Sequence, residues 1–262
     1  MYLRTTLLAL VASAISLPGA TLLMPDFAGI PAGWQVDRYD PHSFANIGVF
    51  QGRDNVLGIE ITSAEGYLFR PAAFQSTFYN TQGRGASISG GADSLISADL
   101  YIPFNWSNSL IGTVRTDMWG VLSGGGSVTD FPLIGFTNYG GTPRYRIWDG
   151  NVAGGWVDLP IPVTYDAWTS FALEFTGSAY LYRINGATVY TDNTINGSTA
   201  FSGVNMEAYN FYDPALAGAT PVDYTAYWDN TVVPEPATRG ALVSSAAILL
   251  LVFRRRRIRV AK

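Results

Sequence analysis

The stretch Tyr165–Tyr190, YDAWTSFALEFTGSAYLYRINGATVY, decides how the chain is read. Phe171, Leu173 and Phe175 alternate with Ala172 and Glu174, a period of two that belongs to a half-buried strand and not to a helix. Gly177-Ser178 then turns the chain into Tyr180–Ile184, with Leu181 and Arg183 on the opposite face. Asn185-Gly186 is a strong hairpin signal, because both residues tolerate the positive φ of a type I′ turn. Thr188–Tyr190 pairs back, giving a three-stranded meander.

The same rhythm extends outward. Ile96, Ala98, Leu100 and Ile102 alternate with Ser97, Asp99 and Tyr101. Further strands are predicted at Gly58–Thr62, Thr77–Tyr79, Ser87–Ser89, Met118–Leu122, Leu133–Thr137, Tyr145–Trp148, Met206–Phe211 and Tyr224–Val232. Turn clusters at Ser123–Ser127, Tyr139–Pro143 and Asp149–Gly155 separate them. No amphipathic helical period of any length interrupts the pattern. With 28 Gly and 14 Pro for turns and 7 Trp, 15 Tyr and 14 Phe for bulk, residues 21–232 read as one all-β sandwich or jelly roll. There is no cysteine, which excludes disulfides, zinc-thiolate sites and a cysteine nucleophile. The fold must rest on one large core.

The segment Tyr165-Asp166-Ala167-Trp168-Thr169, the two strands after it and their Asn-Gly turn resemble a recurrent stretch of concanavalin-A-like (laminin-G-like) jelly rolls. Tyr227-Trp228-Asp229-Asn230-Thr231-Val232 resembles the closing strand of that fold. The resemblance covers about a third of the domain. It implies a concanavalin-A-like sandwich, a scaffold shared by carbohydrate-binding and structural proteins.

Both ends of the chain are hydrophobic. Residues 1–20 read as a secretory signal peptide, with Arg4 as the charged start and Leu7–Ile15 as a short apolar core. Residues 233–262 have three parts. Val233-Pro234-Glu235-Pro236 is held extended by two prolines, so an exposed peptide outside any helix or central strand is expected. Gly240–Phe253 is uncharged and mostly apolar, and as a helix at about 1.5 Å per residue it spans roughly 21 Å, short of a hydrocarbon core of about 30 Å. Arg254, Arg255, Arg256 and Arg257 form a cytoplasmic stop. This order resembles the PEP-CTERM sorting signal of Gram-negative bacteria. The resemblance implies an exported protein, handled by the secretion translocon and signal peptidase and anchored transiently in the inner membrane by a C-terminal transmembrane helix. An exosortase would then pass it to the envelope, cell surface or extracellular matrix. Such proteins usually accompany extracellular polysaccharide.

Between residues 21 and 233 lie eight arginines and no lysine against fifteen aspartates and four glutamates, a balance of −11. A domain this acidic repels nucleic acid and anionic lipid. Chemistry is sparse in the sequence. His42 is the only histidine, in the turn-like Asp40-Pro41-His42-Ser43, and no nucleophile-elbow pattern accompanies it. Glycosidases of the concanavalin-A-like group often carry Glu-x-Asp-x-Glu on one strand; that spacing is absent, and Glu60 and Glu65 fall on opposite faces of any continuous strand. Trp148, Asp149, Asn151 and Trp156 flank one loop and supply the aromatic and polar groups of a glycan site, although core tryptophans account for the same pattern. Asp192, Asn193 and Asn196 offer oxygens to Ca²⁺, which a solvated hairpin end explains equally well; no cofactor or metal site is expected otherwise. The expectation is therefore an exported, non-catalytic, polysaccharide-associated or structural protein. A secreted glycan-active hydrolase with dispersed carboxylates is the alternative, followed by a stably tail-anchored surface protein.

Overall fold

The computed structural model describes residues 20–22 and 33–234 of the 262-residue chain. The expected signal peptide before Ala20, the motif residues Glu235 and Pro236, the apolar run and Arg254–Arg257 lie outside these residues. Among the described residues no helix is long and apolar enough to cross a membrane.

Strands appear in the order β1 (Ala20–Leu22), β2 (Trp34–Val36), β3 (Ser43–Asn46), β4 (Leu57–Ile61), β5 (Thr81–Gly90) and β6 (Ser94–Ile102). Then come β7 (Arg115–Gly124), β8 (Ser127–Asp130), β9 (Leu133–Thr137), β10 (Arg144–Trp148) and β11 (Trp156–Asp158). The chain closes with β12 (Ala167–Phe175), β13 (Tyr180–Ile184), β14 (Ala187–Asp192), β15 (Ala200–Tyr209) and β16 (Tyr224–Pro234). They form two antiparallel sheets. The first runs β14-β13-β12-β6-β16-β4-β3, with β1 against β16; the second runs β11-β10-β9-β7-β15-β5-β2, with β8 against β7. This is the expected all-β sandwich. The meander read from Tyr165–Tyr190 is β12-β13-β14, and Asn185 and Gly186 hold φ of +50° and +80° at its turn.

The core between the sheets follows from the alternation. Phe171, Tyr182 and Trp228 of the first sheet meet Phe136, Tyr145 and Met206 of the second, all essentially buried. Each such side chain contributes on the order of 2–3 kcal/mol of apolar burial. The polar tips are answered across the sandwich. Trp228 Nε1 donates to Thr116 Oγ1 at 2.9 Å, and the Tyr145 and Thr169 hydroxyls lie 3.1 Å apart.

Two expectations are corrected. Thr77–Asn80 is a 3-10 turn, not a strand, closed by Tyr79 N–H to Ser76 O at 3.0 Å. The turn delivers the buried Asn80, whose Nδ2 donates to Asp213 Oδ2 at 2.7 Å, and a three-residue alternation is too short to outweigh that. Second, Val233 and Pro234 are not a free peptide. They end β16, pair with Thr21 and Ala20, and Val233 is 3% exposed. The segment is extended as the prolines require, but a strand's last residue tolerates a proline, so the sandwich continues two residues into the motif.

Candidate functional site

The second sheet turns Met118, Leu122, Ile134, Tyr145 and Met206 into the core, so the intervening residues share its outer face. The register sets them in rows. One row reads Gly83, Glu207, Asp117, Gly135, Arg146, Asp158 across β5, β15, β7, β9, β10 and β11. The next reads Gly85, Asn205, Trp119, Leu133, Trp148, Trp156 over the same strands. On the other side lie Arg115 and, across Thr137, Arg144.

Two carboxylates thus stand directly opposite each other on adjacent strands, with Cβ atoms about 5 Å apart. Glycine flanks both. A Cβ on Gly83 would lie 2.6 Å from Glu207 Oε2, and one on Gly135 would lie 2.4 Å from Asp117 Oδ1. Each carboxylate therefore lies over its neighbouring glycine and leans away from the other. With strands about 4.8 Å apart, Gly83 and Gly135 are roughly 14 Å apart, which leaves those outer oxygens on the order of 9 Å apart.

The pair is electrostatically asymmetric. Asp117 Oδ2 accepts from Arg115 Nε at 2.6 Å and is held as an ion pair, while its Oδ1 has no partner. Glu207 is fully buried, and neither of its oxygens has a hydrogen-bond partner; Arg38 Nη1 lies 3.8 Å from Oε1. Burial pushes the Glu207 carboxyl well above the ordinary value of 4.5; the Asp37 and Asp117 charges push the same way and Arg38 opposes them. The two carboxyls thus stand in unequal surroundings, one ion-paired with Arg115 and the other buried without a hydrogen-bond partner.

Aromatic rings and guanidinium groups enclose the pair. Arg38 lies 4.3 Å over the Trp119 ring, and Arg115 and Arg146 lie 4.5 and 3.6 Å from the Trp156 ring centre. Arg38, Arg115, Trp156 and Tyr209, all half-buried, stand on the same face, where Asp117 is 2% exposed and Glu207 is fully buried. A separate cavity of 240 Å³, lined by Leu68, Phe69, Tyr212 and Pro214, shares no residue with this face.

Of the glycan-site candidates, Trp148 and Trp156 stand on this outer face as cross-strand partners, their ring centres 5.1 Å apart in an edge-to-face arrangement. Asp149 and Asn151 do not join them. Asp149 is buried and accepts from Tyr190 Oη and from Asn151 N–H, both at 2.8 Å, so its carboxylate holds the β10–β11 turn. His42 is exposed, 3.0 Å from Glu65 on another part of the molecule. Asp192 Oδ1 accepts from Thr194 N–H at 2.7 Å, and Asn196 Nδ2 donates to Asp130 at 2.9 Å. Among the described residues no group of three or more His, Asp or Glu is arranged to hold a metal. Sequence reasoning missed Asp117, Glu207, Arg115, Arg146 and Trp119. The signal was present as polar alternation, Arg115-x-Asp117-x-Trp119 and Asn205-x-Glu207-x-Tyr209, with Met118 and Met206 turned the other way.

Neither a family model nor a curated protein matches the chain. Solved structures do. One, reported with endo-acting O-glycanases that initiate mucin breakdown by the human gut microbiota, is 11% identical. It covers 84% of this chain and 100% of its own, with a TM-score of 0.52. Another is LamA of Zobellia galactanivorans with laminaritriose and laminaritetraose, also 11% identical. It covers 83% of this chain and 98% of its own, with a TM-score of 0.51. The shared fold is the jelly roll.

These neighbours overturn the expectation of a protein that is not an enzyme. That expectation rested on the missing Glu-x-Asp-x-Glu, yet proteins of this fold described as glycanases match the chain almost end to end. The physical reason is that one strand is not the only way to bring two carboxylates together. The register of β7 and β15 does it across strands.

Proposed function

We propose that this chain is an exported glycan-active enzyme that hydrolyses glycosidic bonds on the outer face of its second sheet. The observation that carries the reading is the buried Asp117–Glu207 pair, one member ion-paired with Arg115 and the other without a hydrogen-bond partner. Glu207 donates a proton to the leaving oxygen, and Asp117 activates the attacking water. The two carboxyls diverge over Gly135 and Gly83, which leaves room for that water between them. Trp119, Trp148 and Trp156 supply apolar ring faces for sugar rings. The fold shared with an O-glycanase structure and with a laminari-oligosaccharide complex supports a polysaccharide substrate.

The terminal segments supply the address. A signal peptide over residues 1–20 hands the chain to the translocon and signal peptidase, and an exosortase reads the tail from Val233. Because β1 pairs with the end of β16, the two ends of the described sandwich lie together.

The test is release of reducing ends from a polysaccharide panel by the purified full chain. Hydrolysis of at least one glycan is expected, lost in Asp117→Asn and in Glu207→Gln while each variant keeps a cooperative thermal transition. Hydrolysis retained by both variants, or no hydrolysis of any glycan by the wild type, overturns the proposal.

A further inference from the structure

Arg146 is the anomaly of the site. It is 7% exposed, its Nε has no partner, and among the described residues no carboxylate lies within ion-pair distance of it. Its cross-strand neighbour Asp158 pairs instead with Arg144, at 2.7 Å, and Asp117 pairs with Arg115, at 2.6 Å. What Arg146 has is the Trp156 ring, 3.6 Å away. Burying a guanidinium without a counter-ion is costly, and stacking on a ring returns only part of that cost. A ligand that brings its own negative charge would settle the difference.

The distribution of arginine points the same way. The domain is strongly acidic, yet four of its eight arginines, Arg38, Arg115, Arg144 and Arg146, line this one face. Asp37, Asp117 and Asp158 pair with Arg38, Arg115 and Arg144, which leaves Arg146 without a carboxylate of its own. An acidic protein that gathers its cations at a buried spot beside tryptophans is built to admit an anion there and to repel it elsewhere. The planar guanidinium fork matches a carboxylate or a sulfate on a sugar ring, while Trp156 takes the ring's apolar face.

We propose that the site takes an acidic glycan, whose charged sugar unit docks its carboxylate or sulfate on Arg146 next to the Asp117–Glu207 pair. This inference rests on the glycan-active reading above and specifies its substrate class.

The test measures affinity of the purified full chain for polygalacturonate, a sulfated galactan and a neutral β-glucan at matched ionic strength. At least tenfold tighter binding to one of the two acidic polymers than to the neutral glucan is expected. Arg146→Met should abolish that preference, and Arg146→Lys, which keeps the charge but not the fork, should retain part of it. The polymer preferred identifies the acid group. Thermal unfolding of each variant separates lost binding from lost fold, and no loss of stability is expected in Arg146→Met. Equal affinity for neutral and acidic polymers, or a preference unchanged in Arg146→Met, overturns the inference and leaves the glycan-active reading standing. Binding to none of the three, with no glycan hydrolysed, removes both.

Discussion

Replacing Glu207 by glutamine tests the heart of the site without reference to any substrate. Glu207 is fully buried, and its folded-state pKa is raised well above 4.5, chiefly by burial. Below about pH 4.5 the folded and unfolded chains both carry the proton, and the stability associated with it is fully present. As pH rises, the unfolded chain releases its proton first, while the folded chain holds on to it. Unfolding is then favoured by about 1.4 kcal/mol per pH unit until the folded-state value is reached. A glutamine in the same volume has no proton to lose, and other groups that titrate alike in both proteins cancel in the difference. The stability of Glu207→Gln relative to wild type should therefore climb as pH rises through and above about 4.5, for as long as the folded chain holds its proton. Urea unfolding followed by tryptophan fluorescence at each pH gives the two stability curves. Parallel curves across that window would mean that Glu207 is ionised in the folded protein. The assignment of Glu207 as the proton donor would then be wrong, whatever the enzyme assay showed.

Other consequences are independent of that measurement. Asp117→Asn should lower the hydrolytic rate by about 10²–10⁴, the usual worth of a general base, in steady-state assays of reducing-end release. The first product seen by proton NMR should carry the inverted anomer, because water attacks directly; retention would mean that Asp117 acts as a nucleophile instead. Gly83→Ala would place a Cβ 2.1 Å from Met206 O and 2.6 Å from Glu207 Oε2, and should cost about 2 kcal/mol or more in chemical denaturation, because backbone cannot give way as a side-chain tip does. Pro234→Ala combined with Glu235→Ala should leave the protein in the inner membrane with its tail intact, as read by fractionation and mass spectrometry. Normal delivery of that double variant would exclude exosortase sorting.

The fold was legible because alternation is a local property. Phe171-x-Leu173-x-Phe175 and Asn185-Gly186 each specify their conformation within a few residues, and the structure puts strands and a positive-φ turn at both places. The site was not legible, because it depends on register. Asp117 and Glu207 are ninety residues apart in the chain, and nothing in either strand says which residue of the other it will face. Trp148 and Trp156 could be found because a short loop joins them, and a short loop fixes a pair almost as firmly as a turn does. The same proximity misled for Asp149 and Asn151, which belong to the loop's own hydrogen bonds. At the other end, Val233 and Pro234 show how a strong local motif can be read too widely: the prolines specify extended backbone, and an extended backbone is also what a strand's end accepts.

A carboxylate pair on one strand and a pair across two strands differ in what sets their spacing. On one strand, alternate residues are held about 7 Å apart by the rise of the backbone itself. Across β7 and β15 the bases are nearer, about 5 Å, and the working distance is set by how far each side chain leans outward. Here that freedom comes from Gly83 and Gly135, whose missing Cβ atoms leave the space that Glu207 and Asp117 occupy. The two glycines are therefore as much part of the site as the acids: they leave the space over which the two carboxyls diverge. Glu207 lies there fully buried and without a hydrogen-bond partner, and that burial raises its pKa above the ordinary value. Spacing and acidity then have one structural origin, and a chain without Glu-x-Asp-x-Glu reaches a pair of unequal carboxylates by way of glycine.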